Sequence, residues 1–141
     1  MNPCRVLLVD DEVEFVQTVA KRLKRNKLSV EAVHSGVDAL RHLADNPTDV
    51  VVLDMKMPGM DGIETLREIK ARQPLVEVIM LTGHASVEAA IDGMKPVAFE
   101  ELLYKIQDAH RKKTLQEAKI SSLESRPGLA GIGDRSTERS P

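Results

Sequence analysis

Short apolar runs recur along the chain, and each is followed by a segment whose apolar positions fall at helical spacing. Val6-Leu7-Leu8-Val9 is continuous and closed by Asp10-Asp11, the pattern of a strand buried on both faces that ends at a polar edge. Phe15, Val16, Val19, Ala20 and Leu23 then return every three or four positions, with Lys21, Arg22, Lys24 and Arg25 at the end. That spacing predicts an amphipathic helix whose cations complement its dipole. Residues 28–33 alternate and read as a shorter strand, His34-Ser35-Gly36 turns the chain, and 37–43 reads as a second helix stopped by Asn46-Pro47-Thr48. Val50-Val51-Val52-Leu53-Asp54 is the strongest strand: β-branched, continuous and closed by an acid. Met57-Pro58-Gly59-Met60-Asp61-Gly62 must be a loop. Ile63, Leu66, Ile69 and Lys70 carry a third helix to Gln73-Pro74, and 76–81 reads as a fourth strand. Thr82-Gly83-His84-Ala85 is a loop, and Ser86 caps a helix running to about Met94. Strand and helix thus alternate four times, which predicts an α/β fold of right-handed crossovers, its parallel sheet covered by helices on both faces.

After Met94 the alternation stops. Lys95-Pro96 breaks the helix, and 97–106 is helical in period, with Pro96 suited to the first turn. No apolar strand lies between these two helices. Leu115, Ala118, Ile120 and Leu123 extend the helical period too sparsely for a coiled coil. From Arg126 onward Gly, Ser, Pro and Arg leave little to bury. The expected organisation is a globular unit over 1–110, a helical extension over 111–125 and a disordered tail over 126–141.

Composition narrows the chemistry. The net charge of −2 argues against a strongly electrostatic nucleic-acid binder. From Arg111 onward seven Lys/Arg face four Asp/Glu, which reads as a mildly basic solvated tail. With 2% aromatics and no Trp, a base-stacking platform is not expected. No apolar run approaches the roughly 20 residues that span a bilayer, and the N-terminus lacks a signal-peptide pattern. Cys4 is the single cysteine, so no intramolecular disulfide forms, and a reducing cytoplasm is the expected location. His34, His42, His84 and His110 are scattered without zinc-type spacing.

The acids at the strand ends carry the candidate chemistry. In an open parallel sheet, ligands bind outside the carboxyl ends of the strands, and Asp10, Asp11 and Asp54 fall there. If the two strands are neighbours, three carboxylates share one crevice, and their repulsion calls for a cation. Mg²⁺ suits oxygen ligands, and the backbone carbonyl of Lys56 is available beside them. The plainer alternative is that Asp10 and Asp11 cap the first helix and Asp54 caps a loop. A carboxylate can also accept a phosphoryl group, a reaction helped by a metal, a hydroxyl and a cation. Thr82 offers the hydroxyl and Lys95 the cation, although singly each reads as a cap or a solvated helix end.

VLLVDDE (6–12), VVVLDMKMPGMDG (50–62) and IMLTGHA (79–85) together resemble the receiver domain of bacterial two-component response regulators, over about residues 5–106. The resemblance implies a flavodoxin-like sheet. It implies Asp54 as phosphoacceptor from a sensor histidine kinase, with Mg²⁺ held by Asp10, Asp11, Asp54 and the Lys56 carbonyl. It further implies that Thr82 reorients toward the phosphoryl oxygens and that the Met57-Pro58-Gly59 turn shapes the rim.

One departure stands out. Receivers have five strands and carry a Lys-Pro pair at the end of the fifth. Here Lys95-Pro96 directly follows the fourth helix, so four strands are expected instead of five. Only thirteen positions separate Thr82 from Lys95, a shortfall of about one strand and a loop. Lys95 is then a candidate cation tied to a helix end, which would impair phosphorylation if it falls short of Asp54. The fourth strand becomes a sheet edge, and the last helix loses its local strand partner. Either strand pairing or exchange of C-terminal helices between subunits would give a dimer or larger assembly. The two last helices could instead merge around Lys95-Pro96, or Val97-Ala98-Phe99 could form a residual strand. A phosphatase using an Asp nucleophile is disfavoured, because Met55 and Lys56 supply no second acid.

Overall fold

A computed structural model describes residues 3–55, 57, 59–81 and 96–124. Strands β1 (Arg5–Val9), β2 (Ser29–Val33), β3 (Val50–Asp54) and β4 (Glu77–Leu81) alternate with helices α1 (Val13–Lys24), α2 (Gly36–Asp45) and α3 (Gly62–Arg72), and α4 (Pro96–Glu124) follows. All strand pairs are parallel, in the order β2-β1-β3-β4. The central strands explain their own sequences. β3 is buried along its whole length, so both of its faces must be apolar and the run is unbroken.

Alternation along the strands divides the core in two. Val6, Leu8, Val50 and Val52 face α1 and α4, where Phe15, Val19, Leu23, Phe99, Leu102 and Ile106 close over them. Leu7, Val9, Val51 and Leu53 face Ala39 and Leu43 of α2 and Ile69 of α3. Helices therefore cover both faces, as the alternation predicts. Two helix starts carry side-chain caps at positions that read in the sequence only as turn and loop: the Ser35 side chain accepts from the Asp38 N–H at α2, and Asp61 accepts from the Glu64 N–H at α3.

The last helix brings the main differences. Residues 97–99 are helical, not a residual strand. Phe99, Leu102, Leu103, Ile106 and Ala109 recur at helical spacing and bury one face of α4 against the sheet. Ile79 and Leu81 of β4 join that cluster, so α4 keeps a strand partner within its own chain. The Arg22 guanidinium lies 4.3 Å from the Phe99 ring centre and ties α4 to α1. Beyond Lys113, α4 continues to Glu124 with every residue exposed. Among the described residues β4 is a sheet edge, and all five of its residues are half-buried. The expected helix over 86–94 and its junction at Lys95 lie outside the described residues, as does the 126–141 tail. No described helix is long and apolar enough to cross a membrane.

Candidate functional site

Because β1 and β3 are neighbours with Val9 beside Leu53, the chain segments leaving them emerge side by side at the carboxyl pole. Asp10 follows Val9, and Asp54 ends β3. Their residues are 3% and 5% exposed, whereas Asp11 is open to solvent. One carboxylate oxygen from each of Asp10, Asp11 and Asp54 lies within 4.8 Å of the other two. The condition set by the sequence, that the two strands be adjacent, is met.

Asp10 is fixed three ways. Its N–H donates to the Val33 carbonyl at 3.2 Å, its Oδ1 accepts from the Glu12 N–H at 2.9 Å, and its carbonyl lies 3.0 Å from His34 Nδ1. Asp10 Oδ1 closes a local turn onto Glu12, the N-cap residue of α1, whereas α1 itself has no side-chain cap, and the residue also joins the acidic cluster. The Asp61-Gly62 pair shapes the other wall. A Cβ on Gly62 would sit 2.5 Å from the Asp54 carbonyl oxygen and 2.5 Å from Met55 Cα, so only glycine lets α3 start this close to the end of β3. The Gly62 N–H donates to the Met55 carbonyl at 3.1 Å and closes the loop. Within that loop Gly59 has φ +76°, and Met57 turns inward, 7% exposed, into the α2/α3 cluster. Lys56, Thr82 and Lys95 lie outside the described residues.

Three carboxylates at this range repel one another, and burial of two of them raises the cost. The donor set is all oxygen and partly solvent-facing, which fits a hard divalent cation that keeps several waters.

The opposite pole carries a second cluster that the sequence reading missed. Asp49, immediately before β3, accepts from the Arg5 N–H at 2.9 Å and Nε at 3.2 Å through Oδ2, and from Arg5 Nη2 at 3.2 Å and Lys113 Nζ at 3.1 Å through Oδ1. Lys113 also reaches Glu117 Oε2 at 2.8 Å. Burial alone would raise the Asp49 pKa, but the Arg5 side chain, its N–H and the Lys113 ammonium together bring it down to about 2. Burial lowers Lys113, yet Glu117 and Asp49 carry it above its ordinary value. Nearby, burial and then the Asp49 charge push the Cys4 thiol up to about 12, against the pull of Arg5 and Lys113. The missed signal is a register argument: Val6 pairs with Val50, so a base before the first and an acid before the second must meet.

The family model for the response regulator receiver domain matches residues 6–116. The response regulator MprA of Mycobacterium sp. (strain KMS) is 34% identical over 124 residues, covering 82% of this chain and 54% of that protein. The chain thus spans about half the length of this relative. A crystal structure of a response regulator receiver domain protein from Clostridium thermocellum is 35% identical, with a TM-score of 0.67 over 80% of this chain and 98% of that one. A crystal structure described as adenylate cyclase from Rhodopirellula baltica matches at 27% identity and a TM-score of 0.75, covering 88% of this chain and 99% of that chain.

Proposed function

The chain belongs to the response regulator receiver domain family, and on that premise we propose that Asp54 accepts a phosphoryl group from a sensor histidine kinase. The single observation that carries this reading is the convergence of Asp10, Asp11 and Asp54 at the carboxyl ends of adjacent strands. An Asp54 carboxylate oxygen attacks phosphorus, the phosphorus–nitrogen bond of the phosphohistidine breaks, and its electron pair leaves on the imidazole. Mg²⁺ held by Asp10, Asp11, Asp54 and the Lys56 carbonyl would supply charge neutralisation. Asp10 and Gly62 keep the acceptor in place, the first by bracing the β1–α1 connection and the second by admitting α3 close to β3. Thr82 is the proposed hydroxyl contact to the phosphoryl oxygens, and Lys95 the proposed cation. The product is a signal carried by the state of Asp54, and the chain is a signalling module rather than an enzyme acting on a diffusing substrate.

A small phosphodonor with Mg²⁺ tests this directly. Intact-mass measurement should show one added phosphoryl group on the wild-type chain and none on Asp54→Asn. Equal absence of label from both, with the chains folded, sinks the phosphoacceptor role.

The position of β4 as a sheet edge among the described residues favours a second reading, in which two copies associate through strand pairing along β4, or by exchanging α4, with impaired phosphorylation. Five half-buried residues on an edge strand are a ready template for pairing. Light scattering over a wide concentration range should give a dimer mass; a monomer throughout removes this reading.

A further inference from the structure

Cys4, Asp49 and His110 each offer one ligand atom, a sulfur, a carboxylate oxygen and an imidazole nitrogen, and the three atoms lie within 4.8 Å of one another. Three distant segments supply them: the residue before β1, the residue before β3 and the middle of α4. Cys4 and Asp49 are buried and His110 is half-buried. His110 Nε2 lies 3.9 Å from Asp49 Oδ2, so the ring nitrogen faces the cluster. The acidic site at the opposite pole shares none of these residues.

We propose that Cys4, Asp49 and His110 form a binding site for a borderline-soft divalent cation of the Zn²⁺ class, in competition with the Lys113 ammonium. Mixed sulfur, nitrogen and oxygen donors select such an ion over Mg²⁺. Tetrahedral coordination at ordinary bond lengths needs donors about 3.3–3.6 Å apart, so the cluster must contract by at most roughly 1 Å. Three protein ligands leave the fourth position for water.

The competition follows from the bonds of Asp49. Arg5 and Lys113 together give it four hydrogen bonds, which fill the roughly four acceptor sites of a carboxylate. A metal ion must therefore displace one donor. Arg5 holds three of the four contacts, whereas Lys113 holds one and has Glu117, half exposed, as an alternative partner at 2.8 Å. Lys113 is the donor that leaves, which frees Oδ1; because His110 Nε2 faces Oδ2, which Arg5 holds, the imidazole must shift toward Oδ1 as the cluster closes on the ion. Binding is balanced as M²⁺ plus the Cys4 thiol giving the metal–thiolate bond and one proton released to water. The ion then takes over from Lys113 the task of fastening α4 to the base of β3.

The test is a Co²⁺ titration of the full chain in excess Mg²⁺, which occupies hard carboxylate sites without competing for a thiolate. Cys4 is the only cysteine, so near-ultraviolet thiolate-to-cobalt absorption reports this site alone. Wild type should show the band, saturating at one Co²⁺ per chain with the solution mass unchanged, and Zn²⁺ should bleach it. Cys4→Ser should lack it, His110→Gln should weaken binding several-fold, and Lys113→Met should tighten it several-fold by removing the competing ammonium. The proposal is overturned if wild type and Lys113→Met, both folded by circular dichroism, show no band at saturating Co²⁺. It is equally overturned if the band saturates at one ion per two chains, because the thiolates of two copies then share the metal.

Discussion

Replacing Asp49 by asparagine keeps the shape of the side chain and removes its charge, which makes it the sharpest probe of the network that pins α4 to the sheet. A carboxyl held at about 2 against an ordinary 3.8 contributes about 2.5 kcal/mol at neutral pH, since one pKa unit corresponds to about 1.4 kcal/mol. Screening removes little of this, because the Asp49 side chain is 7% exposed. The substitution also leaves the Lys113 ammonium, 9% exposed, with Glu117 as its remaining charged partner. Stranding a buried charge costs about 3–5 kcal/mol when nothing compensates, but Glu117 compensates and the lost Lys113 attraction is already counted in the carboxyl's shift, so a total loss of about 2–3 kcal/mol is expected. For a chain of this size that lowers Tm by roughly 6–9 °C. Urea unfolding followed by circular dichroism gives the free energies directly. The pH dependence has a definite sign. The native carboxyl is the stronger acid, so its stabilisation is complete above 3.8 and disappears as pH falls toward about 2. The gap between wild type and D49N should hold constant at higher pH and close through that window. Pairing D49N with Lys113→Met should recover part of the loss, because the stranded ammonium is gone. Coincident urea midpoints at pH 7, or a gap indifferent to acid, would refute the reasoning.

Other substitutions probe separate joints. Gly62→Ala drives a Cβ into the Asp54 carbonyl and Met55 and should cost about 1–3 kcal/mol in urea unfolding, with a weaker Mg²⁺ response in calorimetry because the acceptor is displaced. Ile106→Ala empties a fully buried position of α4 and should cost about 2–5 kcal/mol; a loss near zero means α4 is not docked on this sheet. Asp61→Ala removes the cap that accepts from the Glu64 N–H at 2.9 Å and should lower stability by about 1 kcal/mol. Asp10→Asn should weaken Mg²⁺ binding by calorimetry while leaving the fold intact by circular dichroism.

Periodicity and strand-end acids carried most of the fold. The continuous runs of β1 and β3 are legible because burial on both faces forbids polar positions, and the register of those strands follows once they are placed side by side. The carboxylate trio is legible for the same reason: parallel order collects every carboxyl end at one pole. The fate of α4 is less legible. Its inward positions 99, 102, 103, 106 and 109 show a helix, but which surface receives them depends on the shape left by the first four strands, and the chain closes α4 over Ile79 and Leu81 of its own β4. The Asp49 network was missed because its members are separated by 44 and 64 positions, and each looks like an ordinary surface charge in its local sequence.

The two acids at the ends of the β3 run, Asp49 just before it and Asp54 closing it, show why residue type alone does not assign a role. Asp49 and Asp54 bracket the same four apolar residues, and each is 5% exposed. Topology decides what they meet. At the amino pole, parallel pairing sets Arg5 of β1 against Asp49, and α4, running back down the sheet, delivers Lys113 to the same carboxylate. Its charge is balanced by covalently attached cations, so removing it weakens the fold. At the carboxyl pole the same pairing sets Asp10 and Asp11 against Asp54, so like charges accumulate and a diffusible cation is favoured. An exchange of charge types between the poles makes the point testable: Asp10→Lys should supply a built-in cation, abolish the Mg²⁺ heat and raise stability relative to Asp10→Ala by relieving the repulsion. If D10K is instead less stable than D10A and still titrates with Mg²⁺, carboxylate crowding is not what prepares this pole for a metal ion.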